Sequence, residues 1–157
     1  MKIVKIHLAS QDDKERIKFL KQAPLDSQFM INEIKKFIDQ IDNLKLHQLV
    51  KTLFEENIEK LSYYPAASKN HHEYVSGLAY HTYGMLKVAE SFCTLYPTLN
   101  KDLLYSGITL HDLGKTIELS GPVVPEYTLE GKLLGHISIS NAMIKETANK
   151  LHIEGEE

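Results

Sequence analysis

The chain has one cysteine, one arginine and no tryptophan among its 157 residues. The lone Cys93 excludes an internal disulfide framework. Set among Phe92, Leu95 and Tyr96 at helical spacing, it reads as a packing thiol, so a reducing cytoplasm is the expected location. With Arg16 the single arginine among 18 basic residues, bidentate guanidinium recognition of phosphate is nearly absent. Charge of one sign is scarce as well. The net charge is −3, and lysines and acids are interspersed, so bulk electrostatics do not mark a nucleic-acid binder. Any chemistry on phosphates must then rest on a metal and on lysines. No apolar run approaches the roughly 18–20 residues that span a bilayer, so no membrane partner is expected. The opening MKIVKIHLASQDDKER has no uninterrupted apolar core of the kind a secretory signal needs.

What is present fits one domain with a helical core, since 43% hydrophobic and 25% charged residues is ordinary globular usage. MKIVKIHLA alternates enough to read as a strand, with Ile3, Ile6 and Leu8 as candidate buried positions and His7 exposed, but a lone strand cannot satisfy its own backbone groups. Two amphipathic helices follow. Phe29, Met30, Ile34, Phe37, Ile38 and Ile41 form the first stripe, with Asp26 or Ser27 placed as its cap. Leu46, Leu49, Val50, Leu53, Phe54, Ile58 and Leu61 form the second, ended by Tyr64-Pro65. Their lysines and glutamates read as solvated faces, and His47 as a surface residue.

The chemistry concentrates further on. His81 lies in a stretch whose Leu78, Met85, Leu86, Ala89 and Phe92 recur near helical spacing. Leu103, Leu104, Ile108, Leu110 and Leu113 read the same way around His111-Asp112, with Gly114 and Lys115 marking a helix that loosens just after the pair. Neighbouring helical residues diverge by about 100°, so His111 and Asp112 reach one ion only in a groove where helices converge. Imidazole and carboxylate aimed at one point from rigid helices is what a divalent cation requires. A last helix, from Gly131 or Lys132, carries His136 beside Gly135, whose missing side chain allows close approach of a backbone or ligand. A lone histidine on an apolar helix is also the usual satisfied core residue, and both readings of His136 stay open. His71 and His72, in the polar connection before His81, read either as solvent-facing or as lining the site entrance against a substrate phosphate. His152 is assigned no role.

Three runs together carry a resemblance: HHEYVSGLAYHT, LYSGITLHDLGKTIELSG and YTLEGKLLGHISI. His81 followed by His111-Asp112 within LHDLGK resembles the HD superfamily of metal-dependent phosphohydrolases. The wider text resembles its YhaM-type 3′-to-5′ exoribonuclease family, also called the CMP-binding-factor family, over nearly the whole chain. The resemblance implies an all-α, HD-domain-like helical bundle over residues 11–157, with residues 1–10 a strand remnant of a preceding OB-fold. It implies hydrolysis of RNA or single-stranded DNA from the 3′ end by in-line attack of an activated water. His81, His111 and Asp112 become metal ligands, Asp112 bridges two ions, and His136 serves the second. Lys115 is placed to steady a phosphate or the charge that builds on it, although a lysine at a helix end also has an electrostatic reason to be there. The donor set suits Mn or another transition metal.

The family pattern continues to a further histidine segment and a final aspartate, and this chain ends at HIEGEE before either, so the expected site is incomplete and its activity alone is in question. Helix packing left unfinished at both ends invites a homo-oligomer. Two rival readings persist: a non-catalytic nucleotide or nucleic-acid binding module, and an HD-type small-nucleotide phosphohydrolase, since a fold does not choose its substrate.

Overall fold

The computed structural model describes residues 13–67 and 73–153. The expected N-terminal strand and the pair His71 and His72 lie outside the described residues. Within them the chain is helical: α1 (Asp13–Arg16), a 3-10 turn (Ile17–Phe19), α2 (Ser27–Ile38), α3 (Leu44–Leu61), α4 (Gly77–Leu95), α5 (Lys101–Leu110), α6 (Lys115–Glu118) and α7 (Leu129–Lys150). Among the described residues β-structure is confined to two isolated bridges, Gln22 with Val75 and Leu119 with Tyr127, and the expected all-α bundle is what forms. None of the described helices is long and apolar enough to cross a membrane.

Four of the helices start on a side-chain cap that takes an N–H left without an intrahelical partner. Asp26 accepts from Phe29 N at 2.8 Å, Asn43 from Leu46 N at 3.0 Å, Asn100 from Leu103 N at 3.0 Å and Thr128 from Gly131 N at 2.9 Å. Such caps contribute about 1 kcal/mol each. The two expected stripes form the centre of the core: Met30, Ile34 and Phe37 of α2 and Val50, Leu53 and Phe54 of α3 are buried together. Leu78, Leu86 and Ala89 of α4 and Tyr105, Ile108 and Leu110 of α5 close over them, with Tyr105 edge-on to Phe37 at 5.3 Å between ring centroids. Not every expected apolar position is inside. Phe29 and Phe92 are half exposed, Leu103 points outward, and Leu133, Leu134 and Ile137 of α7 face solvent, because that stretch of α7 has no helix packed on its outer side among the described residues.

Two junctions fix the elements that matter most. The start of α4 is tied to the end of α3: the Ser62 carbonyl accepts from both the Ser27 hydroxyl (2.5 Å) and the Ser76 hydroxyl (2.6 Å), and Leu78 N donates to Tyr64 O at 3.0 Å. The second junction joins α6 to α7, where backbones press together at two glycines. A Cβ on Gly114 would stand 2.2 Å from the His136 carbonyl oxygen, and one on Gly131 would stand 2.4 Å from that of Glu118. Both obstacles are backbone, so neither can swing aside.

Gly114→Ala is therefore expected to destabilise the chain by at least the roughly 1–3 kcal/mol of an overpacked site. Gly107→Ala, in mid-α5 where a Cβ would meet nothing within 4 Å, is expected to be neutral or to stabilise by up to about 1 kcal/mol. Urea denaturation of the two variants checks the contrast. Equal midpoints would contradict the close α6–α7 approach.

Candidate metal centre

Helix α5 stops at Leu110 and α6 begins at Lys115, so His111–Gly114 form the turn between them. The sequence pattern places the loosening after the ligands. In the structure it comes one turn earlier, and the reason lies at Gly114. In a continuing α-helix the Gly114 N–H would bond the Leu110 carbonyl; here it donates to the Ser140 hydroxyl of α7 at 2.8 Å. The turn closes instead with shorter-range bonds, Leu113 N to Leu110 O at 3.2 Å and Lys115 N to Asp112 O at 3.0 Å. The consecutive His111 and Asp112 side chains then meet between His81 of α4 and His136 of α7.

Asp112 is the centre of the arrangement and is 6% exposed. Its Oδ2 lies 3.2 Å from His111 Nε2, 3.5 Å from His81 Nε2 and 2.8 Å from the Lys115 ammonium. Its Oδ1 faces the other way, 3.4 Å from His136 Nε2. One atom each of His81, His111 and Asp112 lies within 4.8 Å of the others, a group that can hold a metal ion. The outer nitrogens of two of the rings are already engaged. His111 Nδ1 meets the Ile108 carbonyl at 2.8 Å and His136 Nδ1 meets Glu118 Oε1 at 3.0 Å. Both partners only accept, so in each ring Nδ1 donates and Nε2 is the nitrogen turned to the centre. Imidazole Nε2 atoms around a buried carboxylate fit a divalent ion of borderline character.

Charge in the centre is strongly coupled. Burial alone pushes the Asp112 carboxyl up, but hydrogen bonds from His111 and Lys115 outweigh it and hold the group well below the usual carboxylate range. The His111 imidazole is pushed up, first by its hydrogen bond to Asp112, with burial opposing. On one side of the centre an apolar cleft of about 480 Å³ runs past His81 between α4 and α5, lined by Met85, Val88, Phe92 and Leu104. On the other, a cleft of about 360 Å³ touches His111, Asp112 and His136 and is walled by Ile137 and Ile144.

His81, His111, Asp112 and His136, scattered over 56 positions of sequence, thus converge from α4, the α5–α6 turn and α7. Lys115 sits against Asp112 itself. His47 lies apart on α3, 3.7 Å from Asp39. Gly135 does not serve the close approach its type invites, since a Cβ there would meet nothing; it takes a left-handed φ of 70° and breaks α7 just before His136. Sequence reasoning missed Glu118, Ser140 and the contact role of Gly114. Glu118 carried a readable signal, an acid set between the apolar Ile117 and Leu119. Ser140 carried none.

Without metal, the Asp112 contribution to stability is complete above the unfolded carboxyl pKa of about 3.9 and is lost as pH falls toward its lower folded value. That of His111 is complete below the unfolded imidazole pKa of about 6.5 and is lost as pH rises through its raised folded value. The stability difference between the chain and its His111→Gln variant, measured by urea titration in a chelator, should therefore be largest between about pH 4 and 6.5 and shrink on both sides. A difference that does not change with pH would show that the pair is not coupled.

Comparison with known proteins agrees with this geometry. The family described as HD domain matches residues 78–155, which contain His81, His111, Asp112 and His136. The whole chain is 49% identical over 158 residues to the 3'-5' exoribonuclease YhaM of Geobacillus sp., covering 49% of that protein. It is 50% identical over 158 residues to the 3'-5' exoribonuclease YhaM of Halalkalibacterium halodurans, again covering 49% of it. The chain spans about half the length of these curated relatives. No solved structure matches. Residues 78–155 accordingly carry an HD domain, and the chain belongs to the HD-domain family.

Proposed function

We propose that residues 11–157 form the metal-binding portion of a cytoplasmic phosphodiesterase that removes nucleotides from the 3′ end of RNA or single-stranded DNA. The observation that carries the reading is the division of the Asp112 carboxylate, with Oδ2 turned to His81 and His111 and Oδ1 turned to His136. A carboxylate shared between two sets of imidazoles suits a pair of ions, and the donor set suits Mn or another first-row transition metal. The two relatives are named as 3'-5' exoribonucleases, which supports RNA as the substrate.

Divalent ions held there supply Lewis-acid polarisation of a phosphoryl group and activation of water near neutral pH. The residues do the rest. His81, His111 and His136 direct Nε2 inward, and Asp112, kept ionised by its neighbours, holds the negative charge that balances the ions. The Lys115 ammonium, 2.8 Å from Asp112, is positioned by that carboxylate and steadies a substrate phosphate oxygen as charge builds on it. The apolar flanks beside His81 and Ile137 present few charges that compete for a substrate phosphate. On sequence alone, His71 and His72 meet the substrate phosphate at the entrance.

Asp112→Ala should lower Mn²⁺ affinity by more than about 100-fold, the upper end of the loss seen when only an outer-shell partner is removed, and abolish turnover. The check is isothermal titration of the chain with Mn²⁺ alongside a 5′-labelled single-stranded RNA offered to the full-length protein, which is expected to shorten it from its 3′ end. Retained metal-dependent cleavage by Asp112→Ala would sink the assignment. Phosphate release from free nucleotides with the RNA untouched would replace it with a small-nucleotide phosphohydrolase, and RNA binding without cleavage would replace it with a binding module.

A further inference from the structure

Helix α7 is broken at Gly135, whose φ of 70° and ψ of 157° are not helical, so His136 opens a second helical segment and its N–H begins without the partner a continuous helix gives it. Glu118 supplies that partner from α6. A single oxygen, Oε1, accepts both the His136 N–H and His136 Nδ1, each at 3.0 Å. Glu118 is 7% exposed, and its backbone is held from several sides. The Glu118 carbonyl accepts from Thr128 N at 2.9 Å, the Thr128 hydroxyl donates to the Ile117 carbonyl at 2.9 Å, and Gly131 presses on the Glu118 backbone too closely to admit a Cβ.

We propose that Glu118 is a positioning residue for His136: one oxygen caps the second half of α7 and fixes the imidazole in its Nδ1–H form, so that backbone and ring are set together with Nε2 toward Asp112. The inference rests on the reading of His136 as a metal ligand. Its physical content is the shared acceptor. A cap alone would fix the backbone and leave the ring free to turn about its side-chain torsions; a ring partner alone would leave the break in α7 unsatisfied. Because both donors end on Oε1, the bond that fixes the His136 backbone also places the acceptor for its ring, and a turn of the ring gives up the Nδ1 bond.

The test begins with the unaltered metal-free protein, where long-range proton–nitrogen NMR reads the tautomer of each histidine. Read at a pH where the ring is neutral, His136 is expected protonated at Nδ1 and bare at Nε2; a neutral ring protonated at Nε2 overturns the proposal without any variant. Glu118→Gln retains one acceptor oxygen but brings a competing NH₂ donor, so it should stay folded while mixing the tautomers and weakening Mn²⁺ affinity by about 10–100-fold, the usual effect of losing an outer-shell partner. A Glu118→Gln protein with unchanged Mn²⁺ affinity and unchanged tautomer overturns it as well. His136→Gln separates this failure from that of the underlying reading. If His136→Gln binds Mn²⁺ as the unaltered chain does, His136 is no ligand and the reading beneath the proposal falls. If it loses affinity while Glu118→Gln does not, only the positioning role falls.

Discussion

The structure is organised around one buried negative charge. A carboxylate as enclosed as Asp112 is tolerable only if it is paired and hydrogen-bonded, and stranding such a group by removing a partner costs about 3–5 kcal/mol, a large part of a typical domain's total stability. Its partners come from three separate places: His81 from α4, His111 and Lys115 from the turn and the helix that flank it, and His136 from α7. The same charge that makes the site useful thus makes it a point where the fold is over-determined. The serine cluster at Ser62 and the glycine contacts of α6 with α7 are what bring those three places within reach.

The three glycines of this region work by different means. Gly114 and Gly131 are places where two backbones touch, so the space a side chain would occupy is already filled. Gly135 has open space around it and is set apart by its positive φ, which only glycine adopts at little cost. Close approach draws Gly114 out of helix and hands its N–H to Ser140; the break at Gly135 frees the His136 N–H for Glu118. In both cases an interrupted backbone bond is completed by a side chain from the opposing element, at Gly114 two residues from Asp112 and at His136 itself.

This explains which parts were legible in the sequence. The stripes of α2 and α3 were readable because their burial repeats with the helix period, and Asp26 was readable as a cap because capping is local. The approach of His81 and His136 to the His-Asp pair was readable only through the resemblance of the three runs, since spacing alone left both readings of His136 open. The exact end of α5 was not, because it is decided by Ser140, 26 positions away. The exposure of Leu133, Leu134 and Ile137 was not either, since an apolar stripe states what a helix offers and not what is packed on it.

The scarcity of arginine acquires meaning at this centre. With guanidinium forks nearly absent, recognition of a phosphodiester under the proposed function falls to divalent ions and to one ammonium, Lys115, that is already committed to Asp112. An ammonium is a point charge on a flexible stem, and its three donors can serve a carboxylate and a phosphate oxygen at once. The apolar clefts on either side present few competing charges to such a substrate. Under that proposal, binding of a polyanion is governed by the ions and the ammonium gathered at Asp112 and not by the nearly balanced charge of the chain.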